Sequence, residues 1–333
     1  MKPTVAPFPT ARMRRLRQSD AIRRLVKENT LTTNDLIWPL FVRDGTNIEE
    51  EIPSMPGVLR RSIDKTIEAA SKAHELNIPA VCLFPYTNPN LKTKDCSEAW
   101  NPDNLSNRAT RAIKAEVPSL AIMTDVALDP YNIDGHDGFW DGDDVQNDRT
   151  LDALVKQALG QAQAGSDIIG PSDMMDGRIG AIRQALEENS FHNVTIMSYT
   201  AKYASAYFGP FRDAVGASGA LKGNKKTYQM DSANTNEALR LIERDLLEGA
   251  DMIMVKPGLP YLDICLRAKQ TFGVPTFAYQ VSGEYAMIQA AAQNQWIDGP
   301  KVMLESLLAF KRAGCDGILT YFAPSVADIL KDT

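Results

Sequence analysis

The sequence has few of the features that mark secreted, membrane or nucleic-acid-binding proteins. Its four cysteines lie far apart and form no CxxC pair, so neither a disulfide framework nor a zinc knuckle is indicated. No apolar run approaches the ~18 residues that cross a bilayer. The net charge of −6 provides no basic field for nucleic acid or an anionic membrane. We therefore expect a reduced cytoplasmic protein that binds neither nucleic acid nor membrane.

Basic residues are concentrated near the start of the chain, where residues 11–27 carry seven of them. We predict that residues 1–33 form an N-terminal arm that docks on a partner subunit, with a helical turn capped near Ser19. A removable mitochondrial leader is the alternative interpretation of such a basic segment. Asp20 and Glu28 argue against the leader, because such segments are poor in acidic residues.

Short apolar runs rich in β-branched residues recur along the rest of the chain and are bounded by Pro, Gly or Asp, as buried strands are. Pro39 argues against the first run, because proline removes a ladder donor. Eight runs fit this description: Ile37–Val42, Ala80–Phe84, Ala121–Val126, Asp167–Gly170, Val194–Tyr199, Met252–Val255, Thr276–Val281 and Gly317–Tyr321.

Segments with helical periodicity separate most of these runs. Strands that alternate with helices indicate a parallel sheet, and eight such units predict a closed (β/α)₈ TIM barrel over residues 34–333. A doubly wound open sheet is the alternative, but no GxGxxG follows the first run. The predicted helical segments are 62–77, 150–165, 177–189, 234–250, 261–273 and 300–314.

A (β/α)₈ barrel carries its chemistry at the carboxyl ends of its strands. Two of the side chains predicted there are lysines, and an amine buried among apolar groups has a lowered pKa and can attack a ketone to form a Schiff base. The polar candidates at successive strand ends are Asp125, Ser172, Asp173, Lys202, Lys256, Ser282 and Tyr321.

Each lysine also has a plainer interpretation, as a solvated residue or a phosphate ligand. Lys256 ends the apolar run of "DMIMVKPG", and Lys202 lies in "MSYTAKYASAYFGPF" among tyrosines and phenylalanines that we expect to shield it. The Gly-rich, basic segment that follows predicts a lid at about 207–230, which would bring Arg212 and Lys225 to a substrate carboxylate. A solvated loop is the alternative for that segment.

The loop 124–148 contains eight aspartates, and clusters of carboxylate oxygens suit Mg²⁺. Asp125, Asp129 and Asp137 are the best-spaced candidates, and an acidic loop without an ion is the alternative. Ser172 and Asp173 either orient a substrate or simply begin a helix.

Together these motifs resemble the porphobilinogen synthase (5-aminolevulinate dehydratase) family. The matching stretches are "MSYTAKYASAYFGPFRDA", "MIMVKPGLPYLDI", "GPSDMMDGRIGAIR", "AYQVSGEYAMI" and "DVALDPYNIDGHDG". The resemblance implies a barrel with an N-terminal arm, typically in a homo-octamer, that condenses two 5-aminolevulinate molecules into porphobilinogen with loss of two waters.

The resemblance also implies residue roles. Lys256 would form the Schiff base with the propionate-side substrate, whose carboxylate Ser282 and Tyr321 would bind. Lys202 would hold the acetate-side molecule, with Arg212, Lys225 and Gln229 as carboxylate-binding lid residues.

The cofactor implied is less uniform across the family. Where zinc-type relatives have three cysteines, this chain has Ala127, Asp129 and Asp137, so zinc is not expected. Aspartate-type relatives are associated with Mg²⁺, sometimes with K⁺, and a metal-independent enzyme is the alternative.

Two other functions compete with this prediction. A class I aldolase-like barrel would use one Schiff-base lysine and a sugar phosphate, and it predicts glycine-rich phosphate loops after the last two strands. A barrel without activity, kept as a binding or assembly subunit, would have little need for two such lysines and a basic lid.

Overall fold

The computed structural model describes residues 6–216, 219 and 221–331. Parts of three predicted features therefore lie outside the described residues: residues 1–5 of the arm, residues 217, 218 and 220 of the lid, and residues 332–333 at the end of the barrel.

Ten strands form one sheet in the described part of the chain. They are β1 Leu36–Arg43, β2 Glu49–Glu51, β3 Leu59–Arg61, β4 Ala80–Tyr86, β5 Ala121–Val126, β6 Ile168–Pro171, β7 Thr195–Lys202, β8 Met252–Lys256, β9 Thr276–Gln280 and β10 Gly317–Thr320.

Eight of these strands close into a barrel. β1 is followed around the sheet by β4, β5, β6, β7, β8, β9 and β10, and β10 pairs with β1 again. All eight barrel pairings are parallel, so every carboxyl strand end lies at the same rim. This confirms the predicted TIM barrel and excludes the open sheet.

Helices follow the barrel strands, as parallel connections require. The described α-helices are α1 Asp20–Leu25, α2 Ile63–Glu75, α3 Leu105–Glu116, α4 Asn147–Ala164, α5 Arg178–Glu188, α6 Gly209–Ala214, α7 Asn236–Leu247, α8 Leu262–Phe272, α9 Ser282–Gln293, α10 Gly299–Arg312 and α11 Ala323–Lys331. Short 3₁₀ turns cover Met13–Arg17, Thr33–Asp35, Pro89–Leu91, Ser97–Trp100, Ala206–Phe208 and Leu259–Tyr261.

The predicted strands all exist, and their cores match the apolar runs. Pro39 lies within β1 in register with Cys82, although it lacks a ladder donor. The largest difference between a predicted and an observed strand end is in β7, which continues three residues past the predicted end at Tyr199 and reaches Lys202. Lys202 is therefore part of a barrel strand and not of the loop behind it.

Helix ends follow the expected capping chemistry at several positions. The Ser19 hydroxyl accepts the backbone N–H of Ile22 and caps α1, as predicted. Gly165 and Gly273 end α4 and α8 with positive φ angles of 102° and 67°, a conformation that glycine adopts without steric cost.

A small hairpin of β2 and β3, which the sequence does not predict, extends the sheet beside β1. Arg60 of β3 is buried, and its guanidinium donates to the carbonyl oxygens of Asp213 (2.6 Å) and Ala214 (2.7 Å) at the end of α6. The hairpin therefore anchors the short helix that lies over the barrel rim.

The N-terminal arm exposes apolar side chains. Phe8 is 74 % exposed and Leu25 is 80 % exposed, far more than large apolar side chains usually are in a folded chain. In the described part of the protein, no helix combines the length and hydrophobicity that a membrane span requires.

Candidate active site

The two lysines predicted from the sequence lie side by side at the barrel rim. Lys202 ends β7, Lys256 ends β8, and the two residues are direct register partners in the parallel ladder. Each is about 5 % exposed. The structure therefore places two buried amines at neighbouring positions of the barrel rim.

Aromatic rings surround the Lys256 ammonium. Its Nζ lies 4.7 Å from the ring centre of Tyr279, 5.0 Å from those of Tyr199 and Phe211, and 5.5 Å from that of Phe208. Burial, and next the adjacent Lys202 charge, lower the pKa of Lys256 to about 7. A large fraction of this amine is therefore uncharged near neutral pH.

This aromatic cage corrects one prediction from the sequence. Tyr199, Phe208 and Phe211 were expected to shield Lys202, which is their neighbour along the chain, yet they surround Lys256. Tyr199 lies on β7, whereas Phe208 and Phe211 come from the turn and helix after it, which fold across the rim so that Phe211 also packs edge-on against Phe84 of β4.

Lys202 has polar neighbours instead. Its Nζ donates to the Asp137 carboxylate at 3.2 Å and to the carbonyl oxygen of Ser172. Ser172 directly follows β6, so its predicted position at the rim is confirmed. Adjacent amines thus lie in opposite surroundings, one apolar and one anionic.

Asp125 of β5 interacts electrostatically with both lysines. Burial raises the pKa of its carboxyl to about 6, against the opposing attraction of Lys256 and Lys202. Its Oδ1 atom is buried and has no hydrogen-bond partner among the described residues. A carboxylate with a free buried oxygen and a pKa near neutrality can accept and release protons.

The predicted ion-binding aspartates pair with a lysine of the lid. The Lys225 ammonium lies 2.8 Å from the Asp137 carboxylate and 3.5 Å from that of Asp129. Burial alone would lower the pKa of Lys225, but the charges of Asp137 and Asp129 hold that pKa above its ordinary value. In the described residues, no group of three or more His, Cys, Asp or Glu side chains is arranged to hold a metal ion. The donor set therefore does not fit a divalent ion while Lys225 stays in place.

The same loop is joined to the lid through His136. One ring nitrogen of His136 lies 3.0 Å from the Tyr228 hydroxyl and the other lies 2.7 Å from the carbonyl oxygen of Lys222. Its ring stacks on Trp140, with centroids 4.2 Å apart. Residues 221–230 are thus held against the aspartate loop and cover the Lys202 side of the cavity.

The lid also contacts the Lys256 side. The Ser282 hydroxyl, at the start of α9, accepts the backbone N–H of Phe211 at 2.9 Å. Gln229 is buried, whereas Arg212 of α6 is exposed. The Tyr321 hydroxyl lies 2.7 Å from that of Tyr279, a member of the cage. Ser282 and Tyr321 thus each contact a residue of the Lys256 cage.

Asp173 faces a buried arginine that the sequence did not single out. Its carboxylate lies 3.6 Å from Arg178, whose guanidinium is also 3.3 Å from Asp245 and 3.1 Å from the Ser198 hydroxyl. Burial raises the pKa of Asp173 to about 7, against the attraction of Arg178. Arg178 appears in the motif "GRIGAIR", but its partner Asp245 is 67 residues away, so spacing alone could not reveal the pair.

The fold and the site define a class of protein: a (β/α)₈ barrel with two buried amines at neighbouring strand ends, covered by a basic lid. Comparison with known sequences then identifies the family. The family model "Delta-aminolevulinic acid dehydratase" matches residues 10–329. The chain belongs to the delta-aminolevulinic acid dehydratase family, as the sequence motifs predicted.

Relatives match along nearly their whole length. The delta-aminolevulinic acid dehydratase of Rhodobacter capsulatus is 59 % identical, over 97 % of this chain and 98 % of the relative. That of Bradyrhizobium diazoefficiens is also 59 % identical, over 96 % of this chain and 91 % of the relative. The crystal structure of the Toxoplasma gondii enzyme, in complex with its product porphobilinogen, superposes with a TM-score of 0.95 at 45 % identity, covering 97 % of this chain and 92 % of that one.

Proposed function

We propose that this chain is a porphobilinogen synthase, a hydro-lyase that condenses two molecules of 5-aminolevulinate into porphobilinogen with loss of two waters. The reaction is an early step of tetrapyrrole (haem) biosynthesis. The observation that carries the residue assignment is the pair of buried lysines at register positions 202 and 256.

Lys256 is the amine better prepared for nucleophilic attack. With its pKa near 7 it is substantially neutral at physiological pH, so its lone pair can add to the substrate ketone. Loss of water from the adduct gives an imine, and protonation of the imine nitrogen makes the adjacent carbon acidic. The surrounding rings exclude bulk water, which disfavours hydrolysis of that imine.

Lys202 begins as an ammonium paired with Asp137, so it must lose a proton before it can attack the second ketone. Asp125 is the proposed proton acceptor, because its carboxyl has a pKa of about 6 and feels both lysines. A single carboxylate could then serve each amine in turn and also remove the carbon proton that precedes C–C bond formation. Elimination of one lysine amine follows C–C bond formation, and the free amino group of one substrate closes the ring by displacing the other lysine amine from its imine carbon, so that both lysines are regenerated.

The substrate carboxylates are proposed to bind on opposite sides of the cavity. Ser282 and Tyr321 would hold the carboxylate of the molecule on Lys256, the propionate side of the product. Arg212, Lys225 and Gln229 would hold that of the molecule on Lys202. A substrate carboxylate can replace Asp137 or Asp129 as the partner of Lys225 without leaving its charge uncompensated.

Ser172 and Asp173 were also predicted to bind substrate. Ser172 is proposed to orient the Lys202 amine through its carbonyl oxygen. Asp173 stays a predicted substrate residue, and its present contacts with Arg178 and with the backbone N–H of Met175 favour a role in shaping the loop.

For the cofactor we propose that the reaction needs no zinc, since the aspartate loop contains no cysteine and the Lys225 ammonium pairs with Asp129 and Asp137 before substrate binds. Mg²⁺ or K⁺ bound by Asp129 and Asp137 stays a prediction, and such an ion would require Lys225 to leave. On the basis of Asp129 and Asp137 we also assign the chain, as a proposal, to the aspartate-rich, non-zinc subtype of the family.

We further propose a cytoplasmic homo-oligomer, with the octamer as the expected state. The exposed apolar residues of the arm, Phe8 and Leu25, support its burial against another subunit. In the described residues all four cysteines are free, as in a reducing compartment. Light scattering coupled to gel filtration would measure the assembly, and a monomer at micromolar concentration would refute it.

Borohydride trapping tests the central proposal. The purified chain is incubated with 5-aminolevulinate, reduced, digested and analysed by peptide mass spectrometry, while pyrrole formation is scored in parallel. Adducts on Lys256 and Lys202 together with pyrrole are expected. Absence of adducts and of pyrrole would overturn the assignment and favour a binding protein, whereas an adduct on Lys256 alone without pyrrole would favour an aldolase-like enzyme.

A further inference from the structure

A buried carboxylate behind Lys256 takes no part in the chemistry described above. Glu284 lies in the first turn of α9 and is 2 % exposed. Its carboxylate accepts three backbone N–H groups, from Val281 and Leu259 at 2.7 Å each and from Gly258 at 3.3 Å. Only the bond from Val281 caps its own helix. The other two come from the segment that directly follows Lys256.

These bonds connect two strand ends that the sheet itself leaves unconnected. The ladder between β8 and β9 has its last register pair at Val255 and Ala278. Beyond that pair, Gly258 and Leu259 continue from β8, while Val281 continues from β9. Glu284 therefore provides a cross-strand link at the level of the rim where Lys256 stands.

The Glu284 carboxylate lies in an apolar setting with backbone partners. In the described residues every hydrogen bond that it accepts comes from the main chain. Burial raises the pKa of its carboxyl to about 7, against the stabilising effect of the three N–H groups. A buried acid without a cation is costly to maintain. A solvent-exposed Ser or Asp could cap the helix without that cost. Helix capping alone therefore does not explain why a buried glutamate stands at this position.

The segment that Glu284 holds sets the position of the reacting amine. Lys256 keeps its ammonium inside the aromatic cage only while the backbone after it stays in place. The same carboxylate fixes Val281, and with it Ser282, whose hydroxyl contacts the lid at Phe211. One side chain thus ties together the amine, the proposed carboxylate-binding serine and the lid contact.

We propose that Glu284 is a positioning residue for the reaction: by joining the backbone after Lys256 to the start of α9, it holds the Lys256 amine in its apolar cage and Ser282 at the substrate carboxylate. This inference rests on the proposed function, in which Lys256 is the reacting amine. Glu284 does not itself contact substrate.

A loosened Lys256 should become easier to protonate. A shift in its titration in a Glu284 variant would report displacement of the amine toward water or loosening of the cage around it. The charged and titratable groups around Lys256 are Lys202 of β7, Asp125 of β5, Asp129 and Asp137 of the aspartate loop, Cys82 of β4, Tyr199 of β7 and Tyr279 of β9.

The test uses the full-length chain and its variants Glu284→Ala and Glu284→Gln. Glu248→Ala is the control, since the Glu248 carboxylate also accepts a backbone N–H from another element, that of Gly180 at 3.1 Å, but lies at the end of α7, before β8 begins, whereas Lys256 ends β8. Each protein is methylated with isotope-labelled formaldehyde and cyanoborohydride at a series of pH values, and each lysine is quantified by peptide mass spectrometry. This readout needs no substrate.

We expect the methylation midpoint of Lys256 to rise by about one pH unit in Glu284→Ala, which lowers its methylation at pH 6 about tenfold. Glu284→Gln, which keeps one acceptor oxygen, should shift less in the same direction, and Glu248→Ala should not shift at all. The KM for 5-aminolevulinate should also rise in Glu284→Ala, because Ser282 is released with the same carboxylate.

An unchanged Lys256 midpoint in folded Glu284→Ala would overturn the inference and leave Glu284 as a helix cap. If the alanine variant does not fold, an unshifted midpoint in Glu284→Gln has the same meaning. Failure of the proposed function gives a different pattern: wild-type Lys256 would form no adduct with 5-aminolevulinate, while its methylation midpoint would still move in the Glu284 variants.

Discussion

Replacing Asp137 by asparagine tests the charge balance around the lysines. The Asp137 side chain is 1 % exposed and lies 3.2 Å from Lys202 and 2.8 Å from Lys225. Burial alone would raise the Asp137 pKa, but the two ammonium groups outweigh it and hold the pKa below its ordinary value. A depressed carboxyl pKa stabilises the fold above about pH 4 and loses that effect as the pH falls.

Asp137→Asn leaves the buried Lys202 ammonium without the Asp137 anion. Removing one partner of a buried pair costs about 3–5 kcal/mol. Asp137→Asn should therefore lower the free energy of unfolding by about 3–5 kcal/mol at pH 7.

Urea unfolding followed by circular dichroism at pH 7 measures this loss, with the wild-type chain measured alongside. Asp129→Asn is the control, because its side chain is 15 % exposed and lies 3.5 Å from Lys225; its effect should be about 1 kcal/mol. A loss for Asp137→Asn that is below 1 kcal/mol would refute the assignment of a buried charged pair.

Three further predictions follow from the site. Lys256→Met should lower the rate of pyrrole formation at least about a thousandfold, since no neutral amine would remain in the cage. Steady-state assays measure this rate, and activity near that of the wild type would exclude Lys256 as the nucleophile. The acid limb of kcat/KM in the wild-type chain should have a midpoint near pH 7, with activity rising as the pH rises, because the pKa of Lys256 is about 7; a limb below pH 5 would contradict this. Arg178→Met should lower the unfolding free energy by about 3–5 kcal/mol, because Asp173 and Asp245 would lose their cation, and equal stability in urea would argue against that network.

The fold could be predicted from the sequence because its strands are short, apolar and bounded by chain-breaking residues. Even the doubtful first run is a strand, since Pro39 can lie in β1 while the rest of the run pairs normally. The predicted helical segments do not include α3, α6, α9 or α11. The helices α9 and α11 were missed because they begin immediately after a strand end. Their sequences, "SGEYAMIQAAAQ" and "APSVADILK", have no polar loop in front of them.

The site was predictable at the level of residues but not of contacts. Strand ends placed Lys202, Lys256 and Asp125 at one rim, since parallel strands align their carboxyl ends. The partners of these residues come from distant parts of the chain: Lys202 lies 65 residues from Asp137. Chain neighbours suggested that the lid aromatics shield Lys202, whereas the folded lid reaches across to Lys256. Sequence proximity is a poor guide wherever a loop folds back over a barrel.

The contrast between the two lysines follows from placing like charges side by side. Two neighbouring buried ammonium groups repel, so the pair is more stable when one of them is neutral. Asp137 and the carbonyl oxygen of Ser172 both lie on the Lys202 side, which favours the charge there. The aromatic cage then favours the neutral form of Lys256, whose pKa falls to about 7. In the proposed reaction, which uses the same ketone twice, the two substrate molecules would meet two chemically different amines, and we expect Lys256 to react first.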